Sequence, residues 1–145
     1  MTLGDIMSNP VILITLDNTL GEAADLMQRS SIRHLPVIDS ETRALKGIIT
    51  DRDLRKHLSP MLGTEAETEE DRKTLQTRVH KVMVRRLVTA TPETSIREGA
   101  RLLITKKIGC LPIVDNNRRL FGILTESDFV RLLAEKVAVI PYKGL

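Results

Sequence analysis

At 145 residues, with three aromatic side chains and a lone cysteine, the chain has one domain's length and no intrachain disulfide. A net charge of +3 admits small anionic ligands but does not make the basic track of a nucleic-acid binder, and so few aromatics remove the stacking platforms that hold single strands. No apolar run reaches the roughly 18 residues of a membrane span and no secretory signal opens the sequence, so a reducing, cytoplasmic setting without membrane insertion is expected.

The first element follows Asn9-Pro10, where Val11 to Thr15 is a short apolar run that predicts a strand. Asp17-Asn18-Thr19 supplies N-cap chemistry, and Leu20, Ala23, Ala24, Met27 and Ser31 then recur at helical spacing. Pro36 to Ile38 predicts a buried strand, Asp39 to Ala44 a turn, and Leu45 to Thr50 another strand, with Gly47 marking a close approach. Thr50 is placed to cap a short helix from Asp51 to about Leu58, closed by Ser59-Pro60. Residues 59–80 are polar and charge-rich. Glu65 to Val79 reads as an exposed linker helix or a mobile loop, since its apolar face is thin.

The chain then repeats itself. His34-Leu35-Pro36-Val37-Ile38-Asp39 returns 76 positions later as Cys110-Leu111-Pro112-Ile113-Val114-Asp115. Gly47-Ile48-Ile49-Thr50 and Asp53 return 75 positions later as Gly122-Ile123-Leu124-Thr125 and Asp128. The openings match as well, Asp5-Ile6-Met7 against Lys81-Val82-Met83. The second copy therefore predicts a strand over Leu87 to Thr91, a helix capped by Ser95 with Ala100, Leu102 and Leu103 inward, strands over Leu111 to Val114 and Leu120 to Leu124, and a helix from Thr125 to about Lys136. The expected architecture is α+β: two β-α-β-β-α units, each too small to fold well alone, packed as a pseudo-two-fold pair. The expected divisions are 1–60, a charged linker over 61–80, 81–136 and a tail over 137–145.

Strand, helix, a Leu-Pro-Val-type strand, turn, and a Gly-x-x-Thr-x-x-Asp junction before a helix, twice over, resemble the CBS domain (the cystathionine-beta-synthase motif). The tandem is similar to a Bateman module. Ile32 to Val37 and Thr50 to Leu54 look particularly like the small CBS-pair proteins of the acetoin-utilisation AcuB type, although the ACT domain often appended to those is absent.

Thr50 and Asp53, like Thr125 and Asp128, have the spacing of a variant capping box, and their plainest role is to start a helix. The same geometry suits a nucleotide. Free amides at a helix start attract phosphate, a threonine hydroxyl donates to a phosphate oxygen, and a carboxylate accepts both hydroxyls of a ribose. The resemblance implies these contacts: threonine to phosphate, aspartate to ribose. It also turns Arg33 and His34, otherwise an ordinary surface pair, toward ligand phosphates. Copy 2 has Gly109 and Cys110 at those positions, so unequal sites are expected, with copy 1 better suited to a polyphosphate and Asp53 mattering more than Asp128. Adenine would rest on aliphatic side chains: Ile12, Leu13 and Val37 in copy 1, and Val88, Thr89 and Ile113 in copy 2, each otherwise ordinary core. Whether a pocket draws its base-binding strand from its own copy or from the other is left open. The histidines and Cys110 have no metal-ligand spacing, and no nucleophile–base arrangement is legible.

The resemblance implies a regulatory module that senses an adenosine-containing ligand (AMP, ADP, ATP, NAD or S-adenosylmethionine), needs no cofactor and passes its occupancy to a protein partner. The alternative is a structural module without a physiological ligand, forming a homodimer through Leu54, Leu58, Phe129, Leu132 and Leu133. Catalysis and nucleic-acid binding rank below both.

Overall fold

The computed structural model describes residues 1–8 and 10–136; the tail over 137–145 lies outside them. Its elements are α1 (Leu3–Ile6), β1 (Ile14–Thr15), α2 (Leu20–Ser30), β2 (His34–Ile38), β3 (Leu45–Thr50), α3 (Asp51–His57), α4 (Glu69–Lys73), 3-10 turns at Thr74–Gln76 and Val79–Lys81, α5 (Ile96–Lys106), β4 (Cys110–Val114), β5 (Leu120–Thr125) and α6 (Glu126–Lys136).

Both copies build the same hairpin. β2 pairs antiparallel with β3 from His34↔Thr50 to Ile38↔Leu45, and β4 pairs with β5 from Cys110↔Thr125 to Val114↔Leu120. Each ladder shifts register one residue before its end, at Val37/Ile38 and at Ile113/Val114, so even the irregularity is repeated. β1 adds to β2 in parallel through Ile14↔Val37 and Thr15↔Ile38. The hairpin tips meet across the pseudo-two-fold axis, where Ala44 bridges Arg119 and the Leu45 amide donates to the Arg118 carbonyl at 2.9 Å.

Each helix start obeys its sequence. The Thr19 hydroxyl accepts from the Glu22 amide, Thr50 from Asp53, and Ser95 from Glu98. α2 and α5 both end on a residue in the left-handed region, Ser31 at φ 54° and Lys107 at φ 53°.

The two cores are not built from contiguous sequence. Copy 1's core gathers Leu20, Ala23, Met27, Leu35, Val37, Ile49 and Leu54, then is completed by Val79 and Met83 from the opening of copy 2. Copy 2's core gathers Ala90, Leu103, Leu111, Ile113 and Leu124, then is completed by Leu3 from the opening of copy 1, with Ile6 and Met7 packed against it. The exchange has matching anchors: the Leu3 amide donates to the Thr94 carbonyl and the Val79 amide to the Asn18 carbonyl, both at 2.8 Å.

Several elements differ from expectation. The strand over Val11 to Thr15 shortens to Ile14–Thr15, because Ile12 stands exposed beyond the ladder. The strand over Leu87 to Thr91 contracts to one bridge, Ala90↔Ile113, held by Ala90 N to Pro112 O at 3.0 Å and Val114 N to Ala90 O at 2.9 Å. Glu65 to Val79 is neither one helix nor a loop: α4 covers five residues, and two 3-10 turns deliver Val79 to the core. On α5, Gly99 and Leu103 are the buried positions, with Ala100 and Leu102 only partly covered, because Leu3 presses on Gly99 and leaves no room for a larger residue. The helix α1 was not expected at all; four residues are too few for a periodic signal. Leu54, Leu58 and Phe129, expected on a dimer face, instead pack into or against the cores.

Candidate functional site

The exchanged openings make a cleft. The Ser8 amide donates to the Ile123 carbonyl at 3.4 Å, which lays the start of copy 1 along β5 of copy 2. The chain then continues past Pro10, bringing Ile12 to the same cleft as Thr125. Arg33 and His34 reach this place from the other direction: Ser31 turns the chain out of α2, and β2 begins three residues on, at His34. The result is an open cleft of about 750 Å³ between the copies, lined on one side by Ile12, Arg33 and His34 and on the other by Thr125, Asp128 and Arg131.

Gly109 also lines the cleft, at the repeat position that Arg33 holds in copy 1. A Cβ here would lie 2.8 Å from His34 Nε2, so the imidazole occupies the space that a side chain at 109 would need. Burial pushes the His34 pKa below its ordinary value, the neighbouring Asp51 carboxylate opposes that shift, and Arg33 adds to it. The ring is therefore neutral near pH 7 and keeps one nitrogen as an acceptor.

Thr125 and Asp128 sit at the start of α6. Asp128 Oδ2 accepts from the Thr125 amide at 2.8 Å and from its hydroxyl at 3.4 Å. Asp128 Oδ1 is taken by Arg131 at 3.3 Å. In copy 1, Asp53 Oδ2 accepts both the Thr50 amide and the Thr50 hydroxyl at 2.9 Å, and the Asp53 amide returns a bond to the Thr50 hydroxyl at 3.2 Å. Arg131 and Glu126 are cleft residues that the sequence reading passed over. The repeat carried a signal for Arg131: Lys56 is its counterpart, one helical turn beyond the aspartate.

The structure therefore regroups the expected residues. Ile12, Arg33 and His34 meet Thr125 and Asp128, not Thr50 and Asp53. This cleft takes its opening segment from one copy and its threonine–aspartate pair from the other. The basic pair therefore faces Asp128, where it was expected beside Asp53. Val37 and Ile113 are 0% exposed and serve the cores, each being wedged between its hairpin and its helices, and neither lines the cleft. Leu13, Val88 and Thr89 are partly covered and lie outside this cleft, Val88 against copy 2's core. Under the repeat symmetry Val88 and Thr89 belong with Thr50 and Asp53, on the far side of the axis, where the Val84 amide donates to the Ile48 carbonyl at 2.9 Å.

Cys110 is buried, and burial pushes its thiol up to about 12, so it behaves as a small apolar side chain. Among the described residues no group of histidine, cysteine and carboxylate side chains is arranged to hold a metal, and no helix is long and apolar enough to cross a membrane.

The model of the CBS domain family matches residues 3–60 and 79–135. A CBS domain-containing protein of Dictyostelium discoideum is 39% identical over 140 residues, covering 94% of this chain and 93% of that one. A solved structure of an acetoin utilization protein (AcuB) from Vibrio cholerae superposes with a TM-score of 0.78 at 28% identity, over 96% of this chain and 98% of that one. Two further solved structures hold ligands. The CBS domain pair of protein MJ0100, in complex with 5'-methylthioadenosine and S-adenosyl-L-methionine, has a TM-score of 0.77 and 29% identity over 94% of this chain and 98% of its own. CBSX2 in complex with AMP has a TM-score of 0.76 and 28% identity over 92% of this chain and 96% of its own.

Proposed function

Because the chain belongs to the CBS domain family, we propose that it is a regulatory binding module for an adenosine-containing nucleotide, held in the cleft between its two copies. The observation that carries this reading is the meeting of an apolar wall, a basic pair and a helix-start threonine and aspartate in one open space of about 750 Å³. In this reading Ile12 packs against the base, Asp128 accepts the ribose hydroxyls, and the Thr125 hydroxyl and the first amides of α6 meet phosphate, with Arg33 adding charge and His34 a hydrogen-bonding ring from across the cleft. The adenosine compounds bound by the two similar structures support the ligand class. Occupancy would be transmitted because the ligand touches both copies and so stiffens their junction.

Titration with AMP, ADP, ATP, NAD and S-adenosylmethionine during thermal unfolding tests the reading. A ligand at 100 times its Kd stabilises the native state by about 2.7 kcal/mol. A shift that is lost in Asp128→Ala supports the site, and no shift with any of the five refutes it.

A second reading, a scaffold that assembles through helix faces, has one observation in its favour: Ile104, Val130 and Leu133 are 76%, 63% and 61% exposed on α5 and α6. Sedimentation at several protein concentrations tests whether the chain is a homodimer, and whether Leu133→Glu separates it.

A further inference from the structure

We propose that Arg131 makes the cleft selective for nucleotides over nucleosides, by leaving Asp128 for the ligand's anionic group when the ligand's hydroxyls take the carboxylate. The proposal rests on the nucleotide-binding reading above and adds a residue and a selection rule to it.

The Asp128 carboxylate anchors the start of α6. Both of its oxygens are engaged: Oδ2 caps the helix start through Thr125, and Oδ1 receives Arg131 at 3.3 Å. Asp128 is largely covered, with 13% of its side chain exposed, whereas Arg131 is 66% exposed and free to swing. A ribose presenting its hydroxyls to Asp128 must therefore displace the guanidinium. The displaced group has not left the site, since Arg131 itself lines the cleft.

The repeat supplies an internal control. In copy 1, Asp53 carries its cap on one oxygen, and among the described residues its Oδ1 has no partner. The position of Arg131 is held there by Lys56, which is exposed and, among the described residues, makes no ion pair. The Asp128–Arg131 pairing is thus an addition to the shared helix start and is not part of it.

The charges around the cleft give the addition a consequence. Arg33 and Arg131 face Glu126 and Asp128, and His34 is neutral, so the empty cleft is close to electrically balanced. Displacing Arg131 releases one cation into it. A ligand with a phosphate pairs with that cation and recovers what was lost at Asp128. A nucleoside takes the carboxylate and leaves the guanidinium to water. The pairing therefore penalises neutral adenosine compounds without blocking them.

Calorimetric titration with AMP and with adenosine, on the wild type and on Arg131→Met, tests this. Methionine keeps an apolar stem and removes the charge. AMP is expected to weaken about tenfold, the scale of one charge-assisted bond, and adenosine to tighten about twofold, the scale of an exposed ion pair. The AMP-to-adenosine affinity ratio falls accordingly, while Lys56→Met leaves it unchanged. An unchanged ratio in Arg131→Met, or loss of both ligands together, overturns the selection rule while leaving the binding site standing. A wild type that binds neither compound overturns the nucleotide reading, and the rule with it.

Discussion

Met83 of copy 2 lies against Gly47 of copy 1 so closely that a Cβ on residue 47 would stand 2.5 Å from its sulfur, 2.8 Å from its Cγ and 2.9 Å from the Val84 carbonyl. The same relationship holds across the axis, where a Cβ on Gly122 would stand 2.8 Å from the Met7 sulfur and 3.0 Å from the Ser8 carbonyl. Neither glycine has a positive φ; each is needed for the approach of the other copy's opening segment. Gly47→Ala is expected to destabilise by about 1–3 kcal/mol, the usual cost of overpacking. Met83→Ala in the same chain should recover only part of this, since the carbonyl contact remains. Denaturant midpoints of the two single variants and the double variant check the coupling.

Leu3 and Val79 are both 0% exposed, each in the core of the copy it does not belong to. Leu3→Ala should cost about 2–5 kcal/mol, as deep a loss as at a central core position. Chemical denaturation followed by far-UV circular dichroism would measure it. A change below about 0.5 kcal/mol, the range of ordinary surface positions, would refute the exchanged core.

Asp128 and Asp53 are equal in the repeat and unequal in the cleft. Asp128→Ala is expected to abolish the thermal shift given by an adenosine nucleotide, while Asp53→Ala lowers the baseline stability and leaves the shift largely in place. Loss of the shift in Asp53→Ala alone would move the site to the other side of the axis.

His34 links the cleft to pH. Its folded pKa lies below the ordinary value near 6.5, so between the two values the unfolded chain binds more protons and stability falls as pH falls. The stabilising contribution is complete above about pH 6.5 and lost as pH drops through the folded value. The charged groups around the ring are Arg33 and Asp51 beside it and Glu126, Asp128 and Arg131 across the cleft. An anionic nucleotide raises the His34 pKa again, so binding should strengthen from pH 8 to pH 6 and take up a proton. Titrations in buffers of different ionisation enthalpy would show this in the wild type and not in His34→Asn.

The hairpins and helix caps were legible because they are written locally: Thr19, Thr50 and Ser95 each precede a periodic apolar face, and each does cap a helix. The repeat made the pseudo-symmetry legible too. What local patterns do not carry is which copy a segment packs against. Leu3 and Val79 look alike in sequence, and nothing within a few residues of either says that it crosses the axis. The regrouping of Ile12, Arg33 and His34 with Asp128 follows from that crossing, so it was out of reach for the same reason. The strand over Leu87 to Thr91 was overestimated because apolar composition reports burial, whereas ladder pairing depends on a partner that only the Ala90 position finds.

Since each core is finished by the first residues of the other copy, the polar stretch over 61–78 works as a tether. A short tether holds its two ends at an effective concentration on the order of millimolar, above that of any second chain in dilute solution, and so keeps the exchange within one molecule. Cutting the tether below the length that spans the two copies would leave each core to be completed by a different chain, and the product would be a swapped dimer with both cores intact. The spacing between the copies thus decides whether this polypeptide closes on itself or onto its neighbour.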